Sequence, residues 1–314
     1  MIIKSRKVPA ELKILRLLNN RMKLTEKELT HFLHLEKGYE GEKMFDEWLE
    51  QLSTNFLVLN DLLLENNNTF FQIDSLVISP ETIYIFEVKN FEGDYIIDIT
   101  ADKWRSLSGS EIKNPIHQLN RSEILLRQLL QKSKLNPSIE SYVVFINQNF
   151  HLYQAPVDLP IIFPTQINRY MNKLKLKSSK LIEKHNRLAK QLLALHCNDS
   201  PYKRLPAYNF ELLKKGTTCV YCSSFKISNN DKMIVCHDCG KVEASTSGIM
   251  RAVDEIQTLF PEKKITTNIV YDWCELNYSK KTVYRTLTNN LQQIGFGRSS
   301  YFTQKNGADE SGAN

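Results

Sequence analysis

Leu12, Leu15, Leu18, Leu29, Phe32 and Leu33 recur at helix-compatible spacings, which predicts helix over residues 9–35. After Gly38-Tyr39-Glu40-Gly41 a second helix is expected, with Phe45, Leu49 and Leu52 on its inward stripe. The pattern then turns strand-like over Asn55–Leu64, Phe70–Ile78, Ile83–Val88 and Tyr95–Ile99. Leu119, Leu125, Leu126, Leu129 and Leu130 predict a helix over Asn114–Lys134. Two short strands follow, at Ser141–Ile146 and Ile161–Phe163. Strands and helices in this order predict an α/β core of ordinary domain size. Residues 171–204 place Lys173, Lys175, Lys177, Lys180, Lys184, Arg187 and Lys190 among leucines. They read as one basic amphipathic helix ending in a linker near 198–206, or as a solvated helix face. No internal repeat is found.

Hydrophobic residues make up 42% of the 314 residues and charged ones 24%, enough apolar surface to bury a sizeable core. The net charge of +6 and pI near 8.8 suit a polyanionic partner without requiring one. Met1–Leu18 mixes five basic residues with apolar ones and offers no uninterrupted apolar stretch, so neither a signal peptide nor a membrane span is expected. The expectation is a cytoplasmic protein with no membrane partner. Four of the six cysteines form two CxxC pairs, which in that compartment points to metal rather than disulfides. Cys197 and Cys274 read as buried thiols.

The chemistry-bearing residues of the first half come together through one hairpin. Ser79-Pro80-Glu81-Thr82 suits a four-residue loop between strands. If Ile78 pairs with Ile83, the register sets Asp74 opposite Glu87, with side chains on one face. The period of two adds Lys89 to that face. Opposed carboxylates destabilise a strand pair unless a cation or proton compensates them. Lys89 supplies part of that compensation, and a hard divalent ion held by oxygen ligands would supply the rest. A purely structural lysine–carboxylate pair would read the same way. Glu42 shares the apolar stripe of its helix with Phe45 and Leu49, an odd place for an acid unless it meets something positive.

Asp74 followed by Glu87-Val88-Lys89 resembles the PD-(D/E)xK nuclease core. The local wording is similar, in order and spacing, to the nuclease-related domain (NERD) family. It consists of Gly38-Tyr-Glu-Gly-Glu42, Gln72-Ile-Asp-Ser-Leu-Val-Ile78, Phe86-Glu-Val-Lys-Asn90, Trp104 and Asn114-Pro-Ile-His-Gln118. The resemblance covers roughly residues 36–150. It implies a restriction-endonuclease-like fold with a mixed central sheet. In that fold Asp74 and Glu87 would bind Mg2+ or Mn2+, with the Val88 carbonyl as a third ligand. Glu42 would sit beside the site and help bind the metal or its water, Lys89 would orient or activate the attacking water and stabilise charge on the phosphate, and Gln118 would support the site or contact substrate from its helix. Phe71-Gln72-Ile73 precedes Asp74 where the motif name has proline, a residue that offers no ligand. His31, His34, His117 and His151 form no spaced metal set, and neither a P-loop nor a serine elbow is present.

Cys219-Val-Tyr-Cys222 and Cys236-His-Asp-Cys239-Gly240 are two knuckles whose four thiolates satisfy tetrahedral, structural Zn2+. His237 is left out because four sulfurs already close the site. A redox pair is the competing reading. Ile249, Val253, Ile256 and Phe260 form a helical stripe ending at Pro261, and Thr266–Cys274 makes a short second helix. Ser279 caps a third helix predicted over Lys280–Ile294, and Gly295–Phe302 resembles a β-wing. Helix, short helix, polar-basic helix and wing look like a winged helix-turn-helix. In it Lys280, Lys281, Arg285 and Arg298 would contact phosphates, while Thr288 or Asn289 could reach bases. A protein-interaction module has the same outline.

The expected organisation is a helical extension (1–36), a nuclease-like domain (37–170) and a basic helix with linker (171–211). A zinc ribbon (212–246), a winged-helix-like unit (247–303) and a disordered tail (304–314) complete it. The function expected is metal-dependent phosphodiester hydrolysis of nucleic acid, DNA before RNA. Many nucleases of this class act as dimers, so a homodimer is within the expectation. The competing class is a nucleic-acid-binding or regulatory protein that keeps the nuclease fold but cleaves little.

Overall fold

The apolar runs between residues 57 and 89 become three adjacent strands at the centre of the first half. The computed structural model describes residues 1–305 apart from 53–54, 99, 133, 177–178, 199–200, 230–231 and 276–277, and the backbone alone of Arg298. Ile99, Lys177, the Arg298 side chain and the tail from residue 306 therefore lie outside the described residues.

Along the chain run β1 (Ile2–Lys4), α1 (Ala10–Arg21), α2 (Glu26–Glu50), β2 (Leu57–Asn66), β3 (Thr69–Ile78), β4 (Thr82–Lys89) and β5 (Gly93–Asp98). Then come β6 (Lys103–Ser106), β7 (Glu111–Ile112), α3 (Pro115–Lys132), β8 (Ser138–Phe145), β9 (Phe150–Tyr153), β10 (Ile161–Ile162), α4 (Ile167–Lys175) and α5 (Glu183–Ala194). The rest is β11 (Ile227–Asn229), β12 (Met233–Cys236), β13 (Val242–Ala244), α6 (Ser245–Leu259), α7 (Thr267–Trp273), α8 (Lys280–Asn290), β14 (Gln292–Ile294) and β15 (Tyr301–Thr303). No described helix is long and apolar enough to cross a membrane.

Two compact units form: Met1–Pro9 with Leu33–Lys203, and Ala10–Phe32 with the chain from Arg204 on. The first is built on a mixed six-stranded sheet of order β1-β2-β3-β4-β8-β10. The β2-β3-β4 meander is antiparallel, whereas β1, β8 and β10 join in parallel. Both faces are covered. Leu119, Leu126 and Leu130 of α3 and Leu188 and Leu192 of α5 bury against one face, together with Ile97, Trp104 and Phe150 of the small sheet β7-β6-β5-β9. Phe45 and Leu49 of α2 and Ile167, Met171 and Leu174 of α4 bury against the other. The result is a mixed α/β fold in three layers.

Three expectations need correction here. The glycines at 38 and 41 do not precede a second helix, because α2 runs unbroken through both. Gly41 is required by packing instead. A Cβ there would lie 2.5 Å from the Asn90 Cβ, so the helix approaches the end of β4 more closely than any side chain allows. The first 36 residues are not a separate extension, since β1 is an edge strand paired with β2. The basic stretch is two helices rather than one. Their lysines face solvent, while Met171, Leu174, Leu188 and Leu192 between them enter the core.

The second unit holds the three-stranded sheet β11-β12-β13, the helices α1, α6, α7 and α8, and the β14–β15 hairpin. Thr266 and Ser279 cap α7 and α8 with their side chains. The α8 helix ends at Asn290, not Ile294, because Gln292–Ile294 pairs with Tyr301–Thr303 as an antiparallel hairpin. Arg21 of α1 and Glu255 of α6 form a buried ion pair, and Trp273 Nε1 donates to the same carboxylate at 2.9 Å. Cys274 is fully buried as expected, but Cys197 is only half-buried.

Candidate active site

The hairpin has the expected register. Ile78 pairs with Ile83 and the ladder runs to Ser75↔Phe86, one step short of Asp74. Beyond it the hydrogen bond comes from a side chain, for the Val88 N–H donates to Asp74 Oδ2 at 2.9 Å. On the other side of β3 the ladder with β2 also skips one step, between Asn60↔Ser75 and Leu62↔Ile73. That gap leaves out Asp61 and Asp74, and Asp61 takes a left-handed φ of +54°. The inward pattern slips by one residue there, from Leu57 and Leu59 to Leu62 and Leu64. Lys4 Nζ holds the irregular turn by donating to the Asn60 and Asp61 carbonyls at 2.8 and 2.7 Å. A local break in pairing beside a functional group is a common way to re-aim a side chain.

Glu87 follows Ile83 and Ile85 on the face that packs against α3, and it is 2% exposed. Lys89 Nζ donates to Glu87 Oε1 at 2.6 Å and to Gln118 Oε1 of α3 at 3.1 Å. Gln118 sits in the first turns of that helix, which Asn114 caps by accepting the Ile116 N–H at 3.0 Å and Pro115 begins. Trp104 is part of the core, stacked on Phe145. The motif elements of the first half thus serve three ends: charges at the site, the start of α3, and packing around both.

Burial pushes the Glu87 carboxyl up to about 8, and the Asp74 carboxyl within hydrogen-bonding reach adds to this, against Lys89. Two carboxyls so placed need a proton or a cation between them. Burial also opposes the charge on Lys89, but Glu87 and Asp74 hold its pKa above the usual lysine value. The donor set is carboxylate oxygen in a site shielded from water, which fits a hard divalent ion of the Mg2+ or Mn2+ kind. As a trio, the oxygens of Glu42, Asp74 and Glu87 do not all come within 4.8 Å of one another.

Glu42 meets its positive partner in Arg6, whose Nη1 donates to Glu42 Oε2 at 2.6 Å. Burial, then Asp74, pushes the Glu42 carboxyl up to about 8, with Arg6 opposing. Arg6 also grips Asp46, through Nε and Nη2 at 3.0 Å each. Neither Arg6 nor Asp46 stands out in the sequence. The slip in alternation at Asn60–Asp61 was a readable sign that something interrupts the sheet there.

In the second unit Cys219 Sγ lies 3.6 Å from Cys239 Sγ, and Cys222 Sγ 3.5 Å from Cys236 Sγ. Among the described residues these four are the one group of His, Cys, Asp and Glu ligand atoms all within 4.8 Å of one another. Tetrahedral zinc thiolates set sulfurs roughly 3.8 Å apart, so the quartet fits Zn2+. Gly240 at φ +68° makes the turn after the second pair. Lys280, Lys281, Arg285, Thr288 and Asn289 are all exposed on α8.

Comparison with known proteins follows the same line. Residues 37–146 match the family model of the nuclease-related domain. No curated protein matches the chain. Among solved structures, the small subunit of the heterodimeric restriction endonuclease R.BspD6I is similar at 10% identity. That match covers 59% of this chain and 86% of that one with a TM-score of 0.20, too low for the fold assignment to rest on it. The fold assignment rests on the sheet topology and the family match. Over residues 37–146, less than half of its length, the chain carries a nuclease-related domain.

Proposed function

We propose that the protein is a metal-dependent nuclease that hydrolyses phosphodiester bonds of DNA, with its site at Asp74, Glu87 and Lys89. The observation that carries this reading is the buried Asp74–Glu87 carboxyl pair with Lys89 bonded to it. Mg2+ or Mn2+ held by Asp74, Glu87 and the Val88 carbonyl would supply Lewis-acid polarisation of the scissile phosphate and a more acidic water. Lys89, positioned by Glu87 and Gln118, offers an ammonium to orient that water and to stabilise charge on the phosphate. Val88 fixes the Asp74 carboxylate through its N–H. Glu42 stands beside the site through Arg6.

The second unit delivers the substrate in this reading. It contains 19 Lys and Arg against 14 Asp and Glu, so it holds five of the six net positive charges of the chain. The exposed basic face of α8 and the β14–β15 hairpin have the outline of a winged helix-turn-helix, in which Lys280, Lys281 and Arg285 would meet phosphates. The zinc ribbon braces the same unit, with Zn2+ on its four cysteines.

The test is cleavage of labelled single- and double-stranded DNA by wild type and Asp74→Ala, with Mg2+, with Mn2+ and without either. Metal-dependent cutting that the variant lacks supports the enzyme and the site together. Binding without cutting under every condition sinks the nuclease reading and leaves a nucleic-acid-binding protein with a nuclease fold.

A further inference from the structure

The Arg6 guanidinium is enclosed by oxygen. Besides Glu42 Oε2 and both Asp46 oxygens, its Nη2 donates to the Asp74 carbonyl at 2.7 Å and to Ser75 Oγ at 3.2 Å. The side chain is 3% exposed. Five oxygens, three of them from carboxylates, are the surroundings of a hard cation. Here that cation is part of the chain.

The acceptors come from α2 and β3, the elements that also bring Glu42 and Asp74 to the acidic centre. The centre therefore has two places for positive charge. One lies between Glu42, Asp46 and the Asp74–Ser75 backbone, and Arg6 fills it. The other lies between the carboxyls of Asp74 and Glu87, where Lys89 reaches only Glu87.

We infer that Arg6 is a built-in cation standing where a second divalent ion would otherwise sit. The centre then takes one Mg2+ or Mn2+, at Asp74 and Glu87, and Glu42 serves Arg6 rather than the ion. This rests on the metal-dependent reading above, and it reassigns Glu42 within it. The planar fork explains why arginine is used: it holds Asp46 through two parallel bonds while its remaining N–H groups reach Glu42, Asp74 and Ser75. Its charge is permanent at working pH, so it cannot be lost as an exchangeable ion can. Arg6 is a positioning residue. Its bond to the Asp74 carbonyl pins that residue at the gap in the β2–β3 ladder.

The experiment is Mn2+ titration of the full, zinc-loaded chain, followed by electron paramagnetic resonance and calorimetry. Wild type should bind one Mn2+ per chain, and Asp74→Asn should lose it. Glu42→Gln should keep one Mn2+ with affinity changed by less than about threefold. Arg6→Gln, once circular dichroism shows it folded, should gain a second, weaker Mn2+ at the freed Glu42 and Asp46. Two ions in wild type, a loss of more than about tenfold in Glu42→Gln, or a folded Arg6→Gln with no second ion each overturn the inference. All three leave metal dependence standing. No Mn2+ bound by wild type defeats the metal-dependent reading itself, and the inference with it. If Arg6→Gln does not fold, wild-type stoichiometry and Glu42→Gln decide.

Discussion

Glu87 Oε1 and Lys89 Nζ lie 2.6 Å apart on one face of β4, two residues from each other in the chain. A strand can place this pair so close because its side chains repeat every second residue. Lys89 also donates to Gln118, and the Asp74 carboxyl acts on Glu87 as well.

That arrangement has a consequence for pH. Burial raises the folded-state pKa of Glu87 and Glu42 to about 8, above the ordinary carboxyl value near 4.5. Between those values the folded chain holds protons that the unfolded chain has released. Stability should therefore fall as pH rises through this window when no Mg2+ or Mn2+ is added. Melting temperatures from pH 5.5 to 8.5 test this. Glu87→Gln should flatten the decline, and an unchanged slope in the variant would refute the assignment.

Gly41 sets the distance between α2 and the end of β4. Gly41→Ala should destabilise the protein by about 1–3 kcal/mol, because the clashing atom is the Asn90 Cβ, next to backbone and unable to swing away. Gly38→Ala meets nothing within 4 Å and should be neutral or stabilising. Urea denaturation of the two variants side by side distinguishes packing from helix propensity.

Breaking the Arg21–Glu255 pair should be costly. Glu255→Ala leaves the buried Arg21 guanidinium without its counter-ion, though still bonded to the Lys214 and Gly216 carbonyls, and the Trp273 N–H without its acceptor, with an expected loss of about 3–5 kcal/mol. The double change Arg21→Met with Glu255→Leu should recover the part due to the uncompensated charge, while the Trp273 N–H and the Lys214 and Gly216 carbonyls still lose a partner. Trp273 lies beside both partners, so its fluorescence reports the transition.

One Zn2+ per chain should be found by elemental analysis, and Cys236→Ser should lower that to near zero. The strands β11, β12 and β13 have three or four residues each and bury only Ile234 and Cys236. Their fold then depends on the ion. Zinc content unchanged in the variant would rule out the quartet.

The basic face of α8 is testable through salt. Replacing Lys280, Lys281 and Arg285 by alanine should weaken DNA binding and reduce the slope of log K against log salt by about three. An unchanged slope would move the phosphate contacts elsewhere.

Much of this protein was legible along the chain. The hairpin register, the start of α3 at Asn114-Pro115, the cysteine quartet and the caps at Thr266 and Ser279 all depend on local spacing, which sequence carries directly. The limits of the elements were less legible. Gly38 and Gly41 read as a break because glycine is a poor helix former, yet a contact 49 residues later in the chain, at Asn90, decides the matter at Gly41. The ladder gap at Asp61 and Asp74, and the placement of α4 and α5 in the core, likewise come from packing. Arg6 shows the division most plainly. Nothing around it in sequence distinguishes it from Lys4 or Lys7, and its role exists only because β1 joins the sheet edge and sets its guanidinium among Glu42, Asp46 and Asp74. Periodicity and spacing are properties of neighbours in the chain. Compensation of buried charge is a property of neighbours in space, so only the tertiary structure decides it.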